Sequence, residues 1–163
     1  MRPRLLINVI AIGLLALSIS FAADKPDISG TWVLDKTRSF SNPPGFDQTL
    51  TIVHKGNEIT LNAKTIARQQ ETFSDETLLL DGKEREFTPP GAPEGTKGKR
   101  KAYWMPGDRG IIVEDETPAP NKATQHVMRK YTLSSDGATL TIDLYIDTPR
   151  FSVEAKRVYN KRG

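Results

Sequence analysis

Residues 124–147 read TQHVMRKYTLSSDGATLTIDLYID, and the way this stretch can pair with itself decides the fold class. Asp136-Gly137 suits a tight hairpin turn, because glycine accepts the positive φ such turns require. A turn there sets Leu133 opposite Leu140, Tyr131 opposite Ile142, Arg129 opposite Leu144 and Val127 opposite Ile146 on one face. The other face matches Thr132 with Thr141, Lys130 with Asp143, Met128 with Tyr145 and His126 with Asp147. Such cross-strand pairs contribute roughly 0.2–1 kcal/mol each. A slip of one residue would exchange the oily and wet faces, so the pattern selects this register.

The same oily face continues downstream. A third strand from Phe151, joined through Thr148-Pro149, is expected to pair Ile146 with Phe151, Leu144 with Val153, Ile142 with Ala155 and Leu140 with Arg157. Upstream, a turn at Gly56-Asn57 sets Ile52 opposite Leu61, Leu50 opposite Ala63 and His54 opposite Ile59, with Val53/Thr60 and Thr51/Asn62 on the polar side. Period-two alternation broken every eight to twelve residues by Gly, Pro, Asn or Asp recurs along the chain, the pattern of an antiparallel sandwich or barrel. About ten strands are predicted, beginning near Gly30, Gln48, Glu58, Arg68, Glu76, Lys83, Lys99, Arg109, Thr124, Ala138 and Phe151, with one of these merging or dropping out. Thr88 to Gly98, rich in Pro and Gly, is read as a loop within one domain. The expected architecture is all-β, an up-and-down antiparallel barrel of 8–10 strands.

The chain has 163 residues, 37% apolar and 26% charged, with no Cys. That composition is too apolar for a disordered chain, and the missing Cys removes disulfide scaffolds, zinc knuckles and cysteine nucleophiles. Met1 to Arg4 carries two arginines, Leu5 to Leu17 is apolar apart from Asn8 and Gly13, and Ser20-Phe21-Ala22 places small residues where a signal peptidase reads. Residues 1–22 are therefore expected to be a secretory signal peptide, leaving one domain over 23–163 in the periplasm or secreted, without stable membrane insertion after cleavage. Arg2 and Arg4 supply two of the three net positive charges, so net charge gives no argument for nucleic-acid binding.

Gly30-Thr31-Trp32 ahead of an all-β pattern resembles the Gly-x-Trp signature of the lipocalins and the wider calycin group. In that group the Trp closes one end of the barrel and a basic residue of the last strand packs across it. The resemblance implies that role for Arg157, with Arg162 second. Tyr131 to Ile142 and the tail Val158-Tyr159-Asn160-Lys161 are similar to the closing hairpin and tail of small secreted bacterial lipocalin-like proteins. Arg129-Lys130-Tyr131 also resembles the inward Arg-x-Tyr with which fatty-acid-binding members of the group hold a carboxylate near their C-terminus.

Two inward arginines, Arg129 and Arg157, demand a physical account, because a guanidinium among aliphatic side chains is costly unless it meets an anion or several acceptors. Arg129 with Tyr131 could fork onto a ligand carboxylate, with Leu144 and an inward-turned Trp104 as cavity walls. Alternatively, Arg129 sits near the rim and reaches solvent along its aliphatic stem. His54 and His126, the only histidines, are read as surface or tip residues. Glu114-Asp115-Glu116 is read as a solvated strand end, and no metal site is expected. Lys97, Lys99, Arg100 and Lys101, beside Tyr103 and Trp104, are read as edge protection, with a polyanion surface as the competing reading.

No Gly-x-Ser-x-Gly, phosphate loop or His-Glu-x-x-His occurs, so neither a catalytic residue nor a cofactor is assigned. The expected function is exported binding of a small apolar ligand, a fatty-acid-like anion among the candidates. The alternatives are a filled barrel serving as an envelope or extracellular interaction module, with no protein partner identified, and a hydrolase with two carboxylates converging at the barrel mouth.

Overall fold

A computed structural model describes residues 25–163 apart from Gly91, Asp108 and 119–122. The expected leader, 1–22, lies outside the described residues. The strands are β1 (Gly30–Leu34), β2 (Asp47–Lys55), β3 (Glu58–Ala67), β4 (Gln70–Leu79), β5 (Arg85–Phe87), β6 (Gly98–Trp104), β7 (Ile111–Pro118), β8 (Thr124–Leu133), β9 (Thr139–Asp147) and β10 (Ser152–Lys161). They form one ten-stranded sheet in the order β4-β3-β2-β1-β10-β9-β8-β7-β6-β5. Every neighbouring pair is antiparallel. The sheet curls until β4 packs against β6, but its two edges, β4 and β5, share no hydrogen-bonded ladder. No helix among the described residues is long and apolar enough to cross a membrane.

The hairpin that decides the fold pairs as its sequence dictates, from Leu133 with Leu140 to His126 with Asp147. The hairpin at Gly56-Asn57 likewise pairs Ile52 with Leu61 and Leu50 with Ala63. Two expectations change. Arg68 and Gln69 take positive φ of 50° and 67°, so they form the turn after β3, and β4 runs unbroken past Glu76 instead of ending before it. The β10 register is shifted by two residues: Val153 lies opposite Ile146, Ala155 opposite Leu144, Arg157 opposite Ile142 and Tyr159 opposite Leu140.

The turn causes that shift. The Thr148 N–H donates to the Phe151 carbonyl at 3.0 Å, and the Thr148 hydroxyl accepts from the Phe151 N–H at 3.1 Å. Thr148 to Phe151 thus closes as one loop, pairing resumes at Asp147 with Ser152, and Phe151 is expelled to solvent. Because side chains alternate, a shift of two keeps every residue on its expected face.

The apolar face fills one portion of the barrel completely. Trp32, Tyr159, Ile52, Ile59, Leu78, Ile111, Leu140 and Val113 are each less than 2% exposed. The cation over the Trp32 ring is Lys161, 5.3 Å from its centroid, rather than Arg157 or Arg162. The pairing explains this, since Lys161 is the direct partner of Trp32 across β1 and β10. The Lys161 stem also crosses Gly30, where a Cβ would lie 2.7 Å from its Cε and where φ is +142°. The Gly-x-Trp pattern thus reserves room for the lysine that covers the tryptophan. Gly30→Ala is expected to cost about 1–3 kcal/mol through backbone strain and displacement of Lys161, read as a lower midpoint in urea unfolding.

Candidate ligand cavity

The rest of the interior is hollow. A cavity of about 500 Å³ is lined by Leu50, Leu61 and Ala63 on one wall and Val127, Ile142 and Leu144 on another. The proline-bearing loop between β5 and β6 contributes Pro89 and Pro90. None of the eight fully buried residues lines it, so the barrel divides into a solid part and a hollow part. The alternative of an interior filled by its own side chains does not hold.

Four charged residues converge on this cavity. Arg100 on β6 donates through Nε and Nη2 to the two oxygens of Asp115 on β7, at 2.5 and 2.8 Å, and through Nη1 to Glu76 Oε2 on β4 at 2.7 Å. Arg129 on β8 donates to both Glu76 oxygens, at 2.5 and 3.2 Å, and to Asp115 Oδ2 at 3.0 Å. Its Nη1 also donates to the Tyr131 hydroxyl at 3.1 Å. Strand alternation aims all of these inward: Asp115 shares a face with Ile111 and Val113, and Arg100 shares one with Ala102.

Two cations and two carboxylates leave the cluster neutral. Burial works to raise the Glu76 carboxyl, but Arg129 and Arg100 overcome it and hold the group below its usual range. Burial likewise works against the charge on Arg129, and the surrounding Tyr131, Glu76 and Asp115 reverse that, so it stays a cation. The Tyr131 phenol is pushed up to about 12, chiefly by burial. Two carboxylates do converge, as a hydrolase would require, but Glu76 is held ionised, the opposite of what a general acid needs.

Arg157, also on the cavity wall, has different surroundings. Its Nε–H donates to Asn42 Oδ1 at 3.1 Å, and its guanidinium carbon stands 4.4 Å from the Phe46 ring centroid. Among the described residues it has no carboxylate within ion-pair distance. Close by, the Tyr159 hydroxyl donates to Gln48 Oε1 at 2.6 Å. Burial raises the Tyr159 phenol strongly, with the Arg157 charge opposing.

Of the residues singled out from the sequence, Arg129, Tyr131 and Leu144 line the cavity, as does Arg157. Trp104 does not line it. Its ring lies 5.5 Å from that of His54, and its position beside Ile111 in the ladder puts it against the solid part. His54 is not a surface residue: its side chain is 6% exposed, and its alternation with Ile52 aims it inward. His126 is half-exposed, near Glu116. Lys99 and Arg100 are not at an edge, since β5 pairs with β6 over residues 98–100, whereas Lys101 lies beyond that ladder. Lys99 and Lys101 point out while Arg100 points in. Asp115 is likewise buried rather than solvated. Among the described residues no group of three or more His, Cys, Asp or Glu could hold a metal.

The sequence reading missed Glu76, Arg100 and Asp115 as interior residues. Parity could have found two of them, because Asp115 follows Val113 and Arg100 precedes Ala102 by two positions. It also passed over Arg157-Val158-Tyr159, a second Arg-x-Tyr, which stands in the last strand.

No family description and no curated protein sequence matches the chain. Solved structures match it in fold. The REP1-NXSQ fatty acid transporter superposes with a TM-score of 0.57 at 14% identity, over 84% of this chain and 97% of its own. Zebrafish ileal bile acid-binding protein, in a complex with cholic acid, gives 0.57 at 13% identity over 82% and 98%. A secretory abundant heat soluble protein from Ramazzottius varieornatus gives 0.55 at 16% identity over 82% and 94%. The chain thus has an all-β fold of ten antiparallel strands curled like the barrels of these solved structures.

Removing one carboxylate from the cluster leaves buried cations short of a partner, so Glu76→Gln is expected to lose about 3 kcal/mol of unfolding free energy at neutral pH. A carboxyl that titrates below its ordinary value of 4.5 stabilises the fold above that pH and loses its effect as pH falls through the depressed folded value. Urea midpoints should therefore drop for the wild type below pH 4.5, and less steeply for Glu76→Gln.

Proposed function

We propose that this chain is an exported, non-enzymatic binding protein for a small apolar anion, with the ligand's acidic group on Arg157 and its apolar body against Leu50, Leu61, Val127, Ile142 and Leu144. One observation carries the reading: of the two arginines on the cavity wall, Arg129 is already matched by Glu76 and Asp115, whereas Arg157 has no such counter-charge among the described residues. A ligand carboxylate at Arg129 would have to displace a tethered one. At Arg157 it would supply the missing charge, with apolar walls excluding competing water. The fold neighbours named for fatty-acid transport and bile-acid binding support the choice of an apolar acid. Arg129 and Tyr131 then act as a polar wall rather than the headgroup clamp.

The test is displacement of a cavity-bound fluorophore by medium- and long-chain fatty acids, with Arg157→Leu as the variant. Loss of a hydrogen-bonded charge contact is worth about 1.5–3 kcal/mol, so fatty-acid affinity should fall about 10- to 100-fold while the matching alcohols are unaffected. Equal fatty-acid affinity in wild type and variant would refute the headgroup assignment.

Residues 1–22 serve in this reading as the cleaved leader that delivers the barrel to the periplasm or the medium. Intact mass of the protein recovered from those fractions should correspond to a chain beginning at Ala23. A mass retaining Met1 to Ala22 would remove export from the proposal.

A further inference from the structure

The β1–β2 connection, residues 35–46, meets the interior at one place. Its Asn42 accepts the Arg157 Nε–H at 3.1 Å, and its Phe46, 8% exposed, lies under the guanidinium at 4.4 Å. The connection is fastened to β10 on either side of Arg157. Phe40 and Lys156 exchange backbone hydrogen bonds at 3.0 and 3.2 Å, the Val158 N–H donates to the Ser39 hydroxyl at 3.0 Å, and the Asp35 N–H donates to the Val158 carbonyl at 2.7 Å. Phe46 is itself held by its N–H donating to the Pro43 carbonyl at 3.0 Å.

These contacts constrain Arg157 in two independent ways. The Phe46 ring lies under the guanidinium carbon, and Asn42 holds its Nε, so the group is held at two points. Nε is consumed by Asn42, the Tyr159 hydroxyl is a polar neighbour of the guanidinium, and among the described residues no carboxylate meets either Nη. The Nη edge of the guanidinium is thereby left without a counter-ion, and a guanidinium edge is the group that receives a carboxylate or sulfonate bidentately. The amide is also the right chemistry. Asn42 accepts a hydrogen bond without carrying charge, so it orients Arg157 without neutralising it, which an aspartate at the same place would do.

We propose that Asn42 and Phe46 are positioning residues that make the cavity selective for anionic over neutral ligands by holding Arg157 oriented and uncompensated. The proposal rests on Arg157 being the headgroup contact. It adds that selectivity is set from the β1–β2 connection.

The experiment compares two fluorophores that share an aryl-naphthylamine skeleton: 1-anilinonaphthalene-8-sulfonate, which is anionic, and N-phenyl-1-naphthylamine, which is neutral. The ratio of their dissociation constants is the readout, and loss of packing alone would weaken both. Asn42→Asp should weaken the sulfonate by about tenfold or more, the scale of a lost charge-assisted contact, and leave the neutral probe within about twofold. Phe46→Leu keeps an apolar side chain under Arg157 but removes the ring, and should reduce the sulfonate preference in the same direction. A ratio unchanged from wild type in either folded variant overturns the proposal. Wild type binding neither probe, or preferring neither over its Arg157→Leu variant, would instead overturn the headgroup reading beneath it.

Discussion

Glu76 is the point on which the hollow part of the barrel depends. A sheet that curls without closing must join its edges by something other than a backbone ladder, and here β4 and β5 exchange no such bonds. Glu76 reaches across that break to Arg100 on β6 and Arg129 on β8, and both arginines also grip Asp115 on β7. β4 is thereby tied by side chains to β6 and β8, across the gap where hydrogen-bonded pairing stops. Such a cluster recovers its heavy desolvation cost only when its members are matched in number and geometry. Two cations against two carboxylates satisfy that condition, at the expense of Arg129 Nε, which is buried without an acceptor.

That neutrality changes the meaning of the second inward arginine. Were Arg129 unpaired, the cavity would hold two competing anion sites. With Arg129 matched internally, Arg157 is the cavity-wall arginine without a carboxylate partner among the described residues, and it stands across the interior from the break, on the far side of β9 from β8. The structural cluster and the proposed ligand contact are thus separated, so in the proposed mode of binding the charges that hold the barrel together need not be disturbed. The solid part does its work independently. Trp32, covered by Lys161 and anchored by its indole N–H donating to the Ile28 carbonyl at 2.9 Å, is buried in the solid part and does not line the cavity.

The β1–β2 connection links these functions in space. It begins beside the solid part, at Asp35, and reaches the hollow part at Asn42 and Phe46. Its fastening to β10 at residues 156 and 158 leaves Arg157 between two anchored neighbours, so the orientation of one guanidinium depends on the conformation of twelve residues that contain no regular structure.

Much of this was legible in the amino-acid sequence because strand alternation is strictly periodic. Leu133/Leu140 through His126/Asp147 could be paired from the letters alone, and so could Ile52/Leu61, because one-residue slips reverse the faces. The inward direction of Arg129, Tyr131 and Arg157 followed from the same parity. What parity leaves open is any displacement by two, and the β10 register was decided by the closure of Thr148 to Phe151. It also says nothing about which residues meet across the interior. Glu76 and Arg129 are far apart in sequence and on strands that never pair, so their contact exists only because the sheet curls. Local patterning fixed the faces, whereas the fate of each inward charge, matched at Arg129 and unmatched at Arg157, was set by curvature, which brings distant strands within reach of one another.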